Sequence, residues 1–211
     1  MLPSDNKGTA QVLERYTAPQ DQEPIDQYYS HRVRMAQAVT ELQARCLVEL
    51  GTAMGRSTRI WAEALEQTNG HCWTIDIIPP LEDWHLAYPL RHRITFIQQD
   101  SLKCSWQENK PIDILYIDDV HTYPHVLYEL RHWGPWVREG GRIFLDDVAH
   151  SPLTDEPENT AWQILRSVAE FCQAQGLPFL IHPSNQGLAE IILTHPIRRQ
   201  YLAAHKSSFP D

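Results

Sequence analysis

The feature that most constrains this chain is the alternation of short apolar runs with helical patterns along the middle of its 211 residues. Apolar runs at 46–50, 72–75, 94–97, 112–117 and 142–145 have strand length. Helical patterns occur at 28–43, 57–67, 123–136 and 160–173. Strands separated by helices imply crossover connections, and so a mostly parallel sheet covered on both faces. The last two runs, 179–182 and 188–193, are separated only by Pro183-Ser184-Asn185-Gln186-Gly187. Five residues are too few for a crossover helix, so this pair is expected to form an antiparallel hairpin. The predicted class is therefore α/β, a doubly wound, mostly parallel sheet of seven strands with a C-terminal antiparallel hairpin.

Composition sets the size and the partners. With 42% hydrophobic and 21% charged residues, the chain reads as one soluble domain with room for a full core, expected over 28–195. Residues 1–27 are polar and proline-containing and read as an N-terminal arm or lid, and 196–211 as a tail. The net charge of -9 argues against a protein that neutralises nucleic-acid phosphates. Arg91-His92-Arg93 and Arg198-Arg199 read as solvated surface. Cys46, Cys72, Cys104 and Cys172 have no paired spacing, as expected of reduced, buried thiols. No apolar stretch at the N-terminus has the length of a signal core or membrane span. A cytoplasmic protein is expected, with a small-molecule partner, no nucleic acid and no membrane, and with homo-oligomerisation compatible.

Two of the apolar runs end abruptly in paired carboxylates: Ile117-Asp118-Asp119 and Leu145-Asp146-Asp147. Neighbouring buried strands would deliver these groups to one edge of the sheet. Carboxylates about 4 Å apart repel by roughly 4 kcal/mol at an effective dielectric near 20, so such a site needs a cation or must take up protons. An all-oxygen set suits Mg²⁺ or Mn²⁺ better than zinc. His121 follows Asp118 by three positions, and an imidazole titrating near neutrality can accept a proton from an acidified hydroxyl. His125 and His132 on the following helix, and Asp119 within its own loop, are expected to have ordinary surface roles.

The first strand runs into Gly51-Thr52-Ala53-Met54-Gly55-Arg56-Ser57. Gly51 and Gly55 let a backbone approach a ligand, and a helix beginning near Ser57 offers donors to an anionic group; a plain strand-to-helix turn is the alternative. The glycine spacing lacks the GxGxxG of dinucleotide binders, which disfavours an NAD-dependent oxidoreductase. Asp76 ends the second strand, where a carboxylate can accept from a ribose diol, or can simply serve the turn before Ile77-Ile78-Pro79-Pro80.

Glu49-x-Gly51-x-x-x-Gly55-x-Ser57, the acidic end of strand two, the Asp100-Ser101 pair after strand three and the closing hairpin together resemble a class I S-adenosylmethionine-dependent methyltransferase over roughly 28–194. The resemblance implies a Rossmann-like seven-stranded fold. It further implies that Gly51 and Ser57 face the methionine moiety of S-adenosylmethionine, and that Glu49, Thr52, Gly55 and Asp118 also belong to the cofactor-binding set. Asp76 would hold the ribose, and Asp100 with Ser101 would lie by the adenine.

Asp146 and Asp147 follow Asp118 by 28 and 29 residues. That spacing resembles the divalent-metal-dependent O-methyltransferases, which implies that Asp118, Asp146 and Asp147 hold Mg²⁺, with Mn²⁺ as a substitute; Asp119 is the alternative first ligand. The Asp-x-x-His form resembles the branch that includes macrolide-sugar O-methyltransferases and cephamycin-biosynthesis (cephalosporin hydroxylase-like) proteins, implying that His121 is the catalytic base. The expected activity is O-methylation of a sugar or other secondary metabolite; a non-catalytic accessory protein of the same fold is the alternative. Tyr123, Trp84, Tyr88 and the arm tyrosines Tyr16, Tyr28 and Tyr29 are candidate pocket aromatics and His150 a candidate substrate contact, whereas Trp133, Trp136 and Trp162 read as helix packing.

Overall fold

A computed structural model describes residues 27–80, 90–149, 160–183 and 186–197. Trp84, Tyr88, Tyr16 and His150, together with most of the arm and the tail, lie outside the described residues, as do the side chains of Tyr28 and Tyr29.

Seven strands form one sheet: β1 (Cys46–Leu50), β2 (His71–Asp76), β3 (Ile94–Gln98), β4 (Ile112–Ile117), β5 (Val137–Leu145), β6 (Phe179–His182) and β7 (Leu188–Ile192). Four helices accompany them: α1 (Gln27–Leu42), α2 (Arg56–Leu65), α3 (Tyr123–Trp133) and α4 (Thr160–Gln175). The strand order is β3-β2-β1-β4-β5-β7-β6. β1 to β5 pair in parallel, while β7 lies antiparallel to both β5 and β6, the expected hairpin.

Side-chain alternation divides the core between the two faces. Leu47, Ile114, Tyr116 and Phe144 pack with Met35, Val39, Ile60, Trp61 and Leu65 of α1 and α2. Val48, Leu50, Leu115, Ile117, Ile143 and Leu145 pack with Val126, Leu130, Trp133, Ile164, Val168 and Phe171 of α3 and α4. Every residue of β1 is buried, as a strand flanked by helices on both sides requires. Each fully buried Leu, Ile or Phe contributes roughly 1.5–3 kcal/mol, so the two faces together anchor the strand ends that carry the site.

Several boundaries differ from the sequence pattern for local reasons. α3 stops at Trp133 because Pro135 cannot continue it, and Gly134–Trp136 tightens into a 3-10 turn. α2 ends at Leu65 and passes through another 3-10 turn to Asn69, which takes the left-handed conformation at φ 55°. β5 begins five residues earlier than its apolar end suggests. Its first half, Val137-Arg138-Glu139-Gly140-Gly141, is polar and glycine-containing around a pairing irregularity opposite Ile112 and Ile114. Trp133 is fully buried and Trp136 packs against the core, whereas Trp162 is 53% exposed.

Candidate functional site

The register gathers the site. Leu50 pairs with Ile75 on one side and Ile117 on the other, and Ile117 pairs with Leu145. Gly51, Asp76, Asp118 and Asp146 therefore each stand one residue beyond a single row of the sheet. β1 and β4 are the neighbours at which the strand order reverses, the crevice where open α/β sheets bind ligands. Gly51 at φ +90° donates its N–H to Ile75 and lies so close to β4 that a Cβ would sit 2.1 Å from the Asp118 carbonyl oxygen. The Asp118 N–H in turn donates to Leu50 at 2.9 Å. Only glycine fits there.

A cavity of about 300 Å³ opens at this crevice. Gly51, Thr52 and Ser57 line one wall, Tyr116, Asp118 and Asp146 another, and His31, Arg32 and Met35 of α1 close it. Gly51, Thr52, Ser57 and Asp118 thus line one cavity. Gly55 is set back as the left-handed residue, φ 69°, that begins α2. Glu49 lies under the loop, fully buried, and accepts the Thr58 hydroxyl. Burial pushes its carboxyl up to about 7 despite hydrogen bonds from Thr58, Thr74 and Ser57.

Asp76 turns its carboxylate onto the glycine loop. Oδ2 accepts from the Thr52 and Ala53 N–H groups at 2.9 and 3.0 Å, and Oδ1 from Ile78 N–H at 2.9 Å. These bonds hold Ala53 at a positive φ of 44°, and leave the carboxylate few free lone pairs. Asp100 accepts from Leu102 N–H at 2.9 Å and Ser101 is nearly buried, its hydroxyl donating to Asp119 at 3.0 Å. Both lie along the sheet edge, beyond the residues that line the cavity.

At the acidic edge, His121 sits between two carboxylates, with Nε2 3.4 Å from Asp118 Oδ1 and Nδ1 3.5 Å from Asp147 Oδ2. Asp118 and then Asp147 lift the imidazole above its ordinary range against the opposing effect of burial. Burial raises the Asp118 carboxyl, opposed by its contact with His121 and reinforced by the nearby Asp146 charge. Asp147 adopts the left-handed conformation at φ 60°, tolerated better by Asp than by most residues, and faces the Gln186 amide from the β6–β7 turn. Asp146 is directed elsewhere: it accepts the Tyr116 hydroxyl at 2.8 Å and lies 3.5 Å from His31 Nδ1. The Tyr116 hydroxyl is also 3.2 Å from Asp118, so it bridges the two carboxylates. Ligand atoms of Asp118, His121 and Asp147 lie within 4.8 Å of one another, and His121 Nε2 is buried without a hydrogen bond. The hard oxygen donors of Asp118 and Asp147, with Asp146 adjoining through Tyr116, fit a divalent ion such as Mg²⁺ or Mn²⁺, and the unsatisfied imidazole nitrogen beside them fits a proton acceptor.

Tyr116 and His31 were not singled out from the sequence. Tyr116 had a signal, because residues two apart on a strand share a face and Tyr116 stands two before Asp118. His31 had none, since its place depends on how α1 packs across the sheet edge. Tyr123, a candidate pocket aromatic, instead donates its hydroxyl to Glu170 of α4 and carries Arg166 4.2 Å above its ring.

Residues 48–148 match a family of methyltransferase domains. An O-methyltransferase of Aspergillus thermomutatus is 26% identical over 130 residues, which cover 57% of this chain and 53% of the relative. The chain thus spans about half the length of that curated relative. Among solved structures, an SAH-bound methyltransferase of Podospora anserina superposes with a TM-score of 0.63 at 13% identity, covering 92% of this chain and 89% of its own. A TDP-rhamnose 3'-O-methyltransferase of calicheamicin biosynthesis superposes with a TM-score of 0.61 at 13% identity, covering 92% and 96%. No helix among the described residues is long and apolar enough to cross a membrane. The segment from 48 to 148 thus resembles methyltransferase domains, and the chain shares the fold of solved methyltransferases.

Proposed function

We propose that the chain is an S-adenosylmethionine-dependent, Mg²⁺-dependent O-methyltransferase acting on a hydroxyl of a sugar or other small secondary metabolite. The observation that carries this reading is the seating of His121 between Asp118 and Asp147 at the edge of a cavity walled by the Gly51 loop. The similarity to a TDP-rhamnose O-methyltransferase and the Asp-x-x-His spacing support the sugar class.

Asp118 and Asp147, with Asp146 adjoining, would hold the metal, and the cavity beside Gly51, Thr52 and Ser57 would hold the methionine end of the cofactor. When bound, the ion supplies acidification of a coordinated hydroxyl and the cofactor supplies a methyl group on sulfonium. His121 accepts the hydroxyl proton on an imidazole nitrogen, and the two flanking carboxylates stabilise the imidazolium that results. Tyr116 holds Asp118 and Asp146 in place. Holding two reactants nearly in contact contributes on the order of 7–11 kcal/mol to such a reaction, so positioning by the cavity walls is the larger share of the protein's work.

The test is release of S-adenosylhomocysteine with a panel of sugar-nucleotide and phenolic acceptors, with Mg²⁺ and with excess EDTA. Asp147→Ala should abolish turnover while leaving S-adenosylmethionine affinity by calorimetry within about twofold, because Asp147 does not line the cavity. Full activity in EDTA, or full activity of Asp147→Ala, overturns the metal assignment.

A further inference from the structure

Asp119, the second residue of the first acidic pair, faces a different cluster from Asp118. Its Oδ1 accepts Val120 N–H at 2.5 Å, and its Oδ2 accepts the Ser101 hydroxyl at 3.0 Å and lies 3.2 Å from His125 Nε2. The same imidazole nitrogen is 3.4 Å from Glu129 Oε1 and 3.4 Å from Ser101 Oγ. Three oxygens thus surround one nitrogen, which has at most one hydrogen to donate.

Glu129 is the second, independent observation. It is fully buried, it points at His125 and Asp119, and neither of its carboxylate oxygens accepts a hydrogen bond. Taking a carboxylate out of water without a partner costs several kcal/mol, and removal of one partner from a buried pair costs about 3–5 kcal/mol. A protonated His125 balances one of the two carboxylates, and burial pushes the Glu129 carboxyl up to about 8, so that without an ion the second carries a proton. A dication bound by a neutral imidazole balances both.

The spacing agrees. Tetrahedral zinc with bonds of about 2.0–2.2 Å sets its ligand atoms roughly 3.3–3.6 Å apart, and the separations around His125 Nε2 are 3.2 and 3.4 Å. His125 and Glu129 are four residues apart on α3 and so share one helical face. Imidazole with carboxylate is a donor set that suits zinc. The side chains of Asp119 and His125 are each 16% exposed, leaving an ion a path in from solvent.

We propose that Asp119, His125 and Glu129, with the Ser101 hydroxyl beside them, form a second divalent-cation site of zinc type, distinct from the Asp118–Asp147 edge. Bound there, the ion ties the end of β4 and the first two turns of α3 to the loop that carries Asp100 and Ser101.

The test uses the full chain carrying Asp118→Asn and Asp147→Asn, so that the first acidic edge no longer holds metal. After chelator treatment and dialysis, this protein should bind one equivalent of Zn²⁺ and give the intense visible bands of tetrahedral Co²⁺ when cobalt is added. Adding His125→Asn or Glu129→Gln should weaken Zn²⁺ binding at least 100-fold and remove the bands, with circular dichroism reporting that the fold persists. Absence of Zn²⁺ binding by the starting protein overturns the proposal without need of any change in the second cluster. Equal binding in a folded His125→Asn variant also overturns it.

Discussion

Replacing Glu49 by Gln should shift the stability difference between variant and parent in favour of the variant as pH rises from 5 to 8.5. Glu49 is fully buried beneath the Gly51 loop, and burial carries its carboxyl from 4.5 to about 7. At about 1.4 kcal/mol per pH unit, ionising it in the folded protein costs roughly 3 kcal/mol relative to the unfolded chain. Since the folded value lies above the unfolded one, stability is complete below about pH 4.5 and falls as pH rises through about 7. Glutamine cannot ionise, and its carbonyl oxygen can still accept the Thr58 hydroxyl. Its amide hydrogens add a pH-independent offset of about 1–3 kcal/mol if they find no acceptor. The diagnostic is therefore the pH dependence of the difference between the two proteins, not its absolute size. Urea unfolding of both proteins at intervals from pH 4.5 to 8.5 should show the difference moving by roughly 3 kcal/mol in favour of the variant, with unchanged m values. Parallel pH curves would show that Glu49 ionises at its ordinary value and that the burial argument is wrong.

Gly51→Ala should destabilise the fold by more than about 2 kcal/mol in thermal unfolding, because the new Cβ meets the Asp118 carbonyl at a positive φ; a melting temperature within a degree of the parent would contradict the close approach of β1 and β4. Glu190 is buried on β7, where it accepts from Arg34 at 2.5 and 2.8 Å, Arg142 at 3.0 Å and His182 at 2.9 Å. Glu190→Ala should therefore cost about 3–5 kcal/mol in urea unfolding, and a loss under 1 kcal/mol would place those guanidinium groups in solvent instead. Asp76→Ala leaves the Thr52 and Ala53 N–H groups without their acceptor, and calorimetry should show S-adenosylmethionine affinity reduced at least tenfold. Unchanged affinity would remove Asp76 from both the loop and the ribose.

The strands, their order of appearance and the terminal hairpin were legible because apolar runs of strand length and a five-residue connection leave few topologies. β4 matched its run to the residue, whereas β5 did not, since its first half is polar and glycine-containing and owes its pairing to β4 and β7 rather than to its own pattern. Placement of carboxylates at strand ends was equally readable. Their orientation was not: Asp118 and Asp119 are adjacent in sequence yet serve different clusters, because consecutive side chains at a strand end diverge and their partners come from α3 and from the loops that precede it and that follow β3 and β5. His125 read as an ordinary helical histidine because nothing local indicates that a buried Glu129 lies one turn beyond it with no hydrogen bond of its own. Asp146 illustrates the same limit, its direction being set by a tyrosine two residues before Asp118 and by a histidine on α1.

The closing hairpin also dictates when the acidic edge can be completed. The Gly187 and Gln186 carbonyls accept from Val148 and Ala149, and the Gln186 amide reaches Asp147. Because these partners lie nearly forty residues downstream of Asp147, a growing chain can lay down β1 to β5 and still lack the segment that contacts the left-handed turn at Asp147. A ligand that requires the finished edge would therefore report that β7 has docked against β5.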